Sequence, residues 1–168
     1  MRDSPSFRAG SLSRSVAFGG NDVDQIFDRL WLGNLDDVQG NLDHIDLLFN
    51  VCQYAYAAPP GKIVYHDAIR DEVFLDAAIW QRLVESLHDM HHRLNNRVLV
   101  HCRLGKSRSP SLVAAYMASC GYAASPEAAL QLVTAKRLIA YPHPETWRGV
   151  RAWWPQSAPL VGASTLRV

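Results

Sequence analysis

Cys102 heads a segment, VHCRLGKSRSP (Val100–Pro110), that gathers one thiol, three cations, a glycine and two hydroxyls within a few residues. A thiol becomes a nucleophile when it ionises, and neighbouring cations and backbone N–H groups favour the thiolate. Arg108, five intervening residues on, carries a planar fork that binds two phosphate oxygens at once, which lysine does not reproduce. Between them, the backbone N–H groups of Arg103, Leu104, Gly105, Lys106, Ser107 and Arg108 can form a concave anion nest, with Gly105 permitting the bend. The chemistry this set fits is in-line attack of sulfur on a phosphate monoester, through a cysteinyl-phosphate intermediate. Cys-x5-Arg alone would arise by chance in roughly one such chain in four; adding His101, Gly105 and a hydroxyl at Ser109 lowers this to roughly one in ten thousand. Packing alone does not require such a cluster.

A site of this kind needs a strand to deliver the thiol and a helix to point its N-terminus at the anion. The run RVLV before His101 reads as a short buried strand, and Pro110 suits the first turn of a helix whose inner face is Leu112, Val113, Tyr116, Met117 and Cys120, closing at Gly121. Upstream, DQIF and LWLGN flank Asp28-Arg29 as a hairpin would. The near-continuous apolar run Asp46–Cys52 predicts a strand covered on both faces, and KIVYH another after AAPPG. Ile79, Trp80, Leu83, Val84, Leu87, Met90 and Leu94 give a long helix from Leu75 to Leu94, with Asp76 placed to cap it. Ser125-Pro126-Glu127 opens a further helix, and PETWRGVRAWW a last one. Strands alternating with helices predict an α/β fold: a mostly parallel central sheet of about five strands flanked by helices, with Cys102 at a carboxyl strand end where ligands bind.

The 168 residues, 48% hydrophobic, suit one well-buried domain. Lys plus Arg (17) nearly balance Asp plus Glu (16), so no global field draws nucleic acid or an anionic membrane. Three cysteines, Cys52, Cys102 and Cys120, make no disulfide framework and predict a reducing, cytoplasmic setting. No stretch has the length of a transmembrane segment and no secretory signal is evident. The Ser- and Arg-rich start faintly resembles a transit peptide but reads as a disordered tail over residues 1–21. The catalytic domain is expected over 22–154, with a tail over 155–168.

HCRLGKSRSP resembles the His-Cys-x5-Arg-Ser/Thr signature of the cysteine-dependent phosphatases. RLWLGN, LLFNV and RVLVHCRLGKSRSPSLVAAYM are similar to core segments of the dual-specificity protein phosphatase family, over roughly Asp22 to Trp153. The resemblance implies a metal-independent, cofactor-free hydrolase. In it Ser109 aids breakdown of the phosphocysteine and His101 holds the loop. It also implies a shallow site acting on phosphotyrosine and phosphoserine/threonine of protein substrates. Such chemistry needs a carboxylic acid to protonate the leaving oxygen. In YHDAIRDEVFLD the choices are Asp67, Asp71 and Glu72, and the family's spacing favours Asp71. Arg103 and Lys106 in the loop resemble phosphoinositide and phospholipid head-group phosphatases, which keeps a lipid substrate as an alternative. A catalytically silent phosphate-binding module is the alternative of another class. Where the family often has Pro-Asn before its last helix, this chain has Pro142-His143. Cys52, ending a neighbouring strand, reads as a buried structural cysteine, with a reversible link to Cys102 on oxidation as the alternative. His88 to His92 (HDMHH) reads as a solvated helix face rather than a metal site.

Overall fold

A computed structural model describes residues 23–157 and 160. The hairpin forms as expected. β1 (Asp24–Phe27) and β2 (Leu30–Gly33) pair antiparallel around Arg29, whose φ of 56° makes the tight turn. β3 (Leu47–Asn50), β4 (Ile63–His66) and β5 (Val98–His101) complete a sheet ordered β1-β2-β5-β3-β4, parallel from β2 onward. β5 lies at the centre and all four of its residues are buried, as are all four of β3. This is why both read as unbroken apolar runs instead of alternating ones. The register sets His101 level with Gly33 on one side and Asn50 on the other. Cys102 therefore leaves the sheet where three strands end together.

Four helices cover the sheet: α1 (Ala77–His88), α2 (Arg108–Ser119), α3 (Pro126–Lys136) and α4 (Pro144–Trp153). α2 is buried along its entire length, consistent with an Ala- and Ser-rich sequence that lets neighbours approach closely. Ser125 caps α3 as expected, its side chain accepting the Ala128 N–H at 3.1 Å. A 3-10 turn, Trp154–Gln156, continues α4, and the Leu160 N–H reaches the Ser119 carbonyl at 3.3 Å. The expected tail over residues 1–21 and most of 155–168 lie outside the described residues. Among the described residues no helix is long and apolar enough to cross a membrane.

Two expectations for the long helix need correction. Asp76 occupies the capping position, yet its carboxylate makes no capping bond; its carbonyl alone receives the Ile79 and Trp80 N–H groups. Of the three histidines only His92 lies on a solvated face; His88 and His91 are buried. The buried stripe Trp80, Leu83, Val84, Leu87 continues in three- and four-residue steps through His88 and His91, while Leu94 is exposed. His91 lies in a π-helical turn, Asp89–Arg93, between the Tyr116 hydroxyl and the Asp28 carbonyl, each at 2.8 Å. The carbonyl can only accept, so Nε2 carries the proton and Nδ1 accepts from Tyr116. Burial lowers the pKa of both His88 and His91, favouring neutral rings.

Candidate active site

The loop Arg103–Ser107 turns from β5 into α2, and the carbonyls of Arg103, Gly105, Lys106 and Ser107 are fastened by surrounding segments. Leu35 N–H binds Arg103 O at 3.0 Å, Arg137 Nε binds Gly105 O at 2.8 Å, and Tyr141 N–H binds Lys106 O at 2.7 Å. Ser107 O receives both the N–H and the Oγ of Ser111, at 3.0 and 2.8 Å. With the carbonyls held away, the N–H side of the loop is presented to the concave face, which is what an anion nest requires. Gly105 adopts φ +63°, and a Cβ there would collide with the Gly33 carbonyl oxygen and Arg137 Nη2. Only glycine satisfies both the dihedral and the space.

Cys102 is 2% exposed and its Sγ accepts the Ser109 hydroxyl at 3.3 Å. Arg108, 4% exposed, donates from Nη1 to the Ile69 carbonyl at 3.3 Å and pairs through Nη2 with Asp71 Oδ2 at 3.1 Å. Its Nε is buried without a protein partner, a donor available to an oxygen of a bound anion. These side chains open on a cleft of about 280 Å³, lined also by Glu72, Leu104, Tyr141 and His143. Of the candidate acids, Asp71 and Glu72 reach this cleft. Asp67 instead forms a two-point ion pair with Arg82 of α1, at 2.8 and 2.9 Å.

His101 is fully buried beneath the loop. Its Nε2 meets the Tyr56 hydroxyl at 2.6 Å and its Nδ1 lies 3.3 Å from the Cys102 carbonyl. Burial pushes its pKa down to about 4, so the ring is neutral: Nδ1 donates to the carbonyl and Nε2 accepts from Tyr56. His143, where the family often has asparagine, meets the loop through its backbone. Its N–H binds Ser107 Oγ at 2.8 Å, and its Nδ1 accepts the Glu145 N–H at 3.3 Å to cap α4. Cys52 is buried and unbridged, its thiol 3.5 Å from the Tyr54 carbonyl.

Three supporting residues, Arg137, Asp24 and Tyr56, escaped the sequence reading. Arg137, 2% exposed, connects Gly105 to Asp24 of β1 by an ion pair of 2.7 Å, and Tyr56 holds His101. Each is separated from its partner by at least thirty residues. The local signal available was an arginine at the end of a helix, which carries no indication of burial. Among the described residues no cluster of three metal-ligating side chains forms.

The model of the dual specificity phosphatase catalytic domain matches residues 44–155. Mouse protein phosphatase Slingshot homolog 1 is 35% identical over 127 residues, which are 70% of this chain and 12% of that much longer protein. The 123R protein of Invertebrate iridescent virus 6 is 31% identical over 126 residues, 71% of this chain and 82% of its own length. In structure, human DUSP28 superposes with a TM-score of 0.69 at 21% identity, covering 80% of this chain and 93% of that one. DUSP15 does so with a TM-score of 0.66 at 24% identity, covering 80% and 85%. The chain belongs to the dual specificity phosphatase family.

Proposed function

We propose that this chain is a phosphomonoester hydrolase that removes phosphate from phosphotyrosine and phosphoserine or phosphothreonine in proteins. The observation that carries the reading is convergence. Cys102 Sγ, the Arg108 guanidinium and the Asp71 carboxylate share one cleft, with the Ser109 hydroxyl already on the sulfur. A phosphate dianion in the loop takes N–H bonds from residues 103–108 and the fork of Arg108, displacing the Asp71 contact. The Cys102 thiolate attacks phosphorus opposite the ester oxygen; the S–P bond forms, the P–O bond breaks, and Asp71 delivers its proton to the departing oxygen. Asp71, now a carboxylate, takes a proton from a water that attacks phosphorus; the P–S bond breaks, the Ser109 hydroxyl steadies the departing sulfur, and inorganic phosphate leaves. Arg108 holds the equatorial oxygens through both steps.

The family resemblance implies a shallow cleft that admits a phosphorylated hydroxyl side chain of either length, which supports the broad substrate range. Intact Cys102, Arg108 and Asp71 weigh against a silent phosphate-binding module. The test is release of inorganic phosphate from p-nitrophenyl phosphate and from phosphotyrosine and phosphothreonine peptides, by the wild type and by Cys102→Ser. Turnover that vanishes in the variant while phosphopeptide still binds supports the proposal; equal rates in the two refute it.

A further inference from the structure

Beyond the catalytic cleft, across the half-exposed side chain of Leu104, lies a second cleft of about 480 Å³ lined by Leu35, Asp36, Tyr54, Arg103 and Leu104. Arg103 is exposed, and its guanidinium rests over the Tyr54 ring at 5.7 Å from the centroid. Among the described residues no carboxylate lies within ion-pairing distance of it, although Asp36 lines the same cleft. Its carbonyl, by contrast, is fastened to Leu35 N–H, so the side chain projects from a fixed backbone. An aromatic platform that orients an otherwise unpaired guanidinium leaves the fork's N–H edge open to an anion. Resting on the proposed phosphatase activity, we propose that this cleft is a second anion subsite. It takes a phosphate or carboxylate side chain close in sequence to the phosphoresidue being hydrolysed.

The mouth favours a peptide over a multiply charged head group. Asp36 lines this cleft and Asp71 and Glu72 line the catalytic cleft, so carboxylates stand beside the basic loop in both. A polyanion or an anionic bilayer sets several negative charges against these carboxylates, whereas a peptide with one flanking anion adds a single charge, at Arg103. In an extended peptide, side chains two residues apart lie roughly 6.6 Å apart on the same face, a spacing suited to straddling the single side chain of Leu104.

The experiment compares kcat/KM for a phosphotyrosine peptide with neutral flanks against peptides carrying phosphoserine or glutamate two residues to either side. A second phosphate on one side is expected to raise kcat/KM about tenfold, and glutamate about threefold, the order being set by charge. Tyr54→Ala and Arg103→Gln should bring that ratio within about twofold of unity, with p-nitrophenyl phosphate hydrolysis unchanged in Tyr54→Ala. Asp36→Asn should increase it. The same ratios, read as Kd values with Cys102→Ser, provide a measure independent of turnover. A wild type indifferent to the flanking anion, a preference that survives Arg103→Gln, or a larger preference for inositol polyphosphates than for the doubly phosphorylated peptide overturns the subsite. Failure to hydrolyse even the singly phosphorylated peptide overturns the phosphatase reading instead, and leaves the binding ratios to decide the subsite.

Discussion

Replacing Ser109 by alanine separates the two halves of the proposed reaction. The hydroxyl sits 3.3 Å from Cys102 Sγ, with Ser109 fully buried and Cys102 2% exposed, so water cannot readily substitute for the lost donor. A hydrogen bond to an ionised partner contributes about 1.5–3 kcal/mol, and sulfur, a soft acceptor, belongs near the lower half of that range. About 2 kcal/mol corresponds to roughly a 30-fold slower departure of sulfur from phosphorus. Formation of the intermediate should change by less than about threefold, because Arg108 and the loop amides still stabilise the phosphoryl group as sulfur attacks. Alanine is the better helix former in the first turn of α2, so the fold should not suffer. Rapid-quench measurement with p-nitrophenyl phosphate should then show a burst of nitrophenol near one equivalent, followed by a slow steady state. Acid-quenched protein should carry phosphate on Cys102. If kcat is unaltered and no burst develops, Ser109 does not act on the departing sulfur and the assignment of the second step fails.

Asp71→Asn should slow hydrolysis of esters with poor leaving groups by about 100-fold or more while sparing activated aryl phosphates; equal losses on both in steady-state assays would move the acid elsewhere. Asp67→Asn, which breaks only the exposed pair with Arg82, should leave both rates alone. Gly105→Ala should lower kcat/KM by about 100-fold or more, since a Cβ at φ +63° forces the loop away from Gly33 and Arg137; near-normal turnover would show that the loop is not rigidly held. Stability should fall with acid. His101 has a folded pKa near 4 against about 6.5 unfolded, so the unfolded state binds the extra proton, and about 2 kcal/mol is lost between pH 7 and pH 5. Urea titrations should show that loss in the wild type and a shallower pH slope in His101→Asn; equal slopes would mean that His101 is not the proton-linked group.

What was legible in the sequence was whatever the chain encodes locally. The hairpin around Arg29, the unbroken runs of β3 and β5, the cap at Ser125 and the glycine in the loop each follow from a few adjacent residues and a known backbone demand. The choice of Asp71 as the acid came only from the family resemblance, because residue spacing does not say which carboxylate faces the loop. The Arg82 contact that removes Asp67 from the choice depends on how β4 and α1 cross. His88 and His91 were misread because polar residues were assigned to the solvent side. Their three- and four-residue steps from Val84 and Leu87 placed them on the core side, where partners from distant segments meet them. Arg137 was missed for the same reason: an arginine is buried when its partners, here Gly105 O and Asp24, arrive from elsewhere.

The distribution of those distant ties has a physical logic. Several N–H dipoles aimed at one point repel one another when no anion is present, so an unsupported loop would relax by rotating its peptide planes. Four of these rotations would have to break a carbonyl bond to a different part of the chain: the segment after β2 for Arg103, the end of α3 for Gly105, the residues before α4 for Lys106, and α2 itself for Ser107. Because these anchors are independent, no single local motion releases the loop. The reorganisation that binding would otherwise demand is met during folding, by burial of the surrounding elements. The neutral, buried His101 acts in the same way on the other side, holding the Cys102 carbonyl without adding a positive charge beneath the sulfur. In the proposed mechanism the neutral ring leaves stabilisation of the transferring phosphoryl group to Arg108, the loop amides and Ser109.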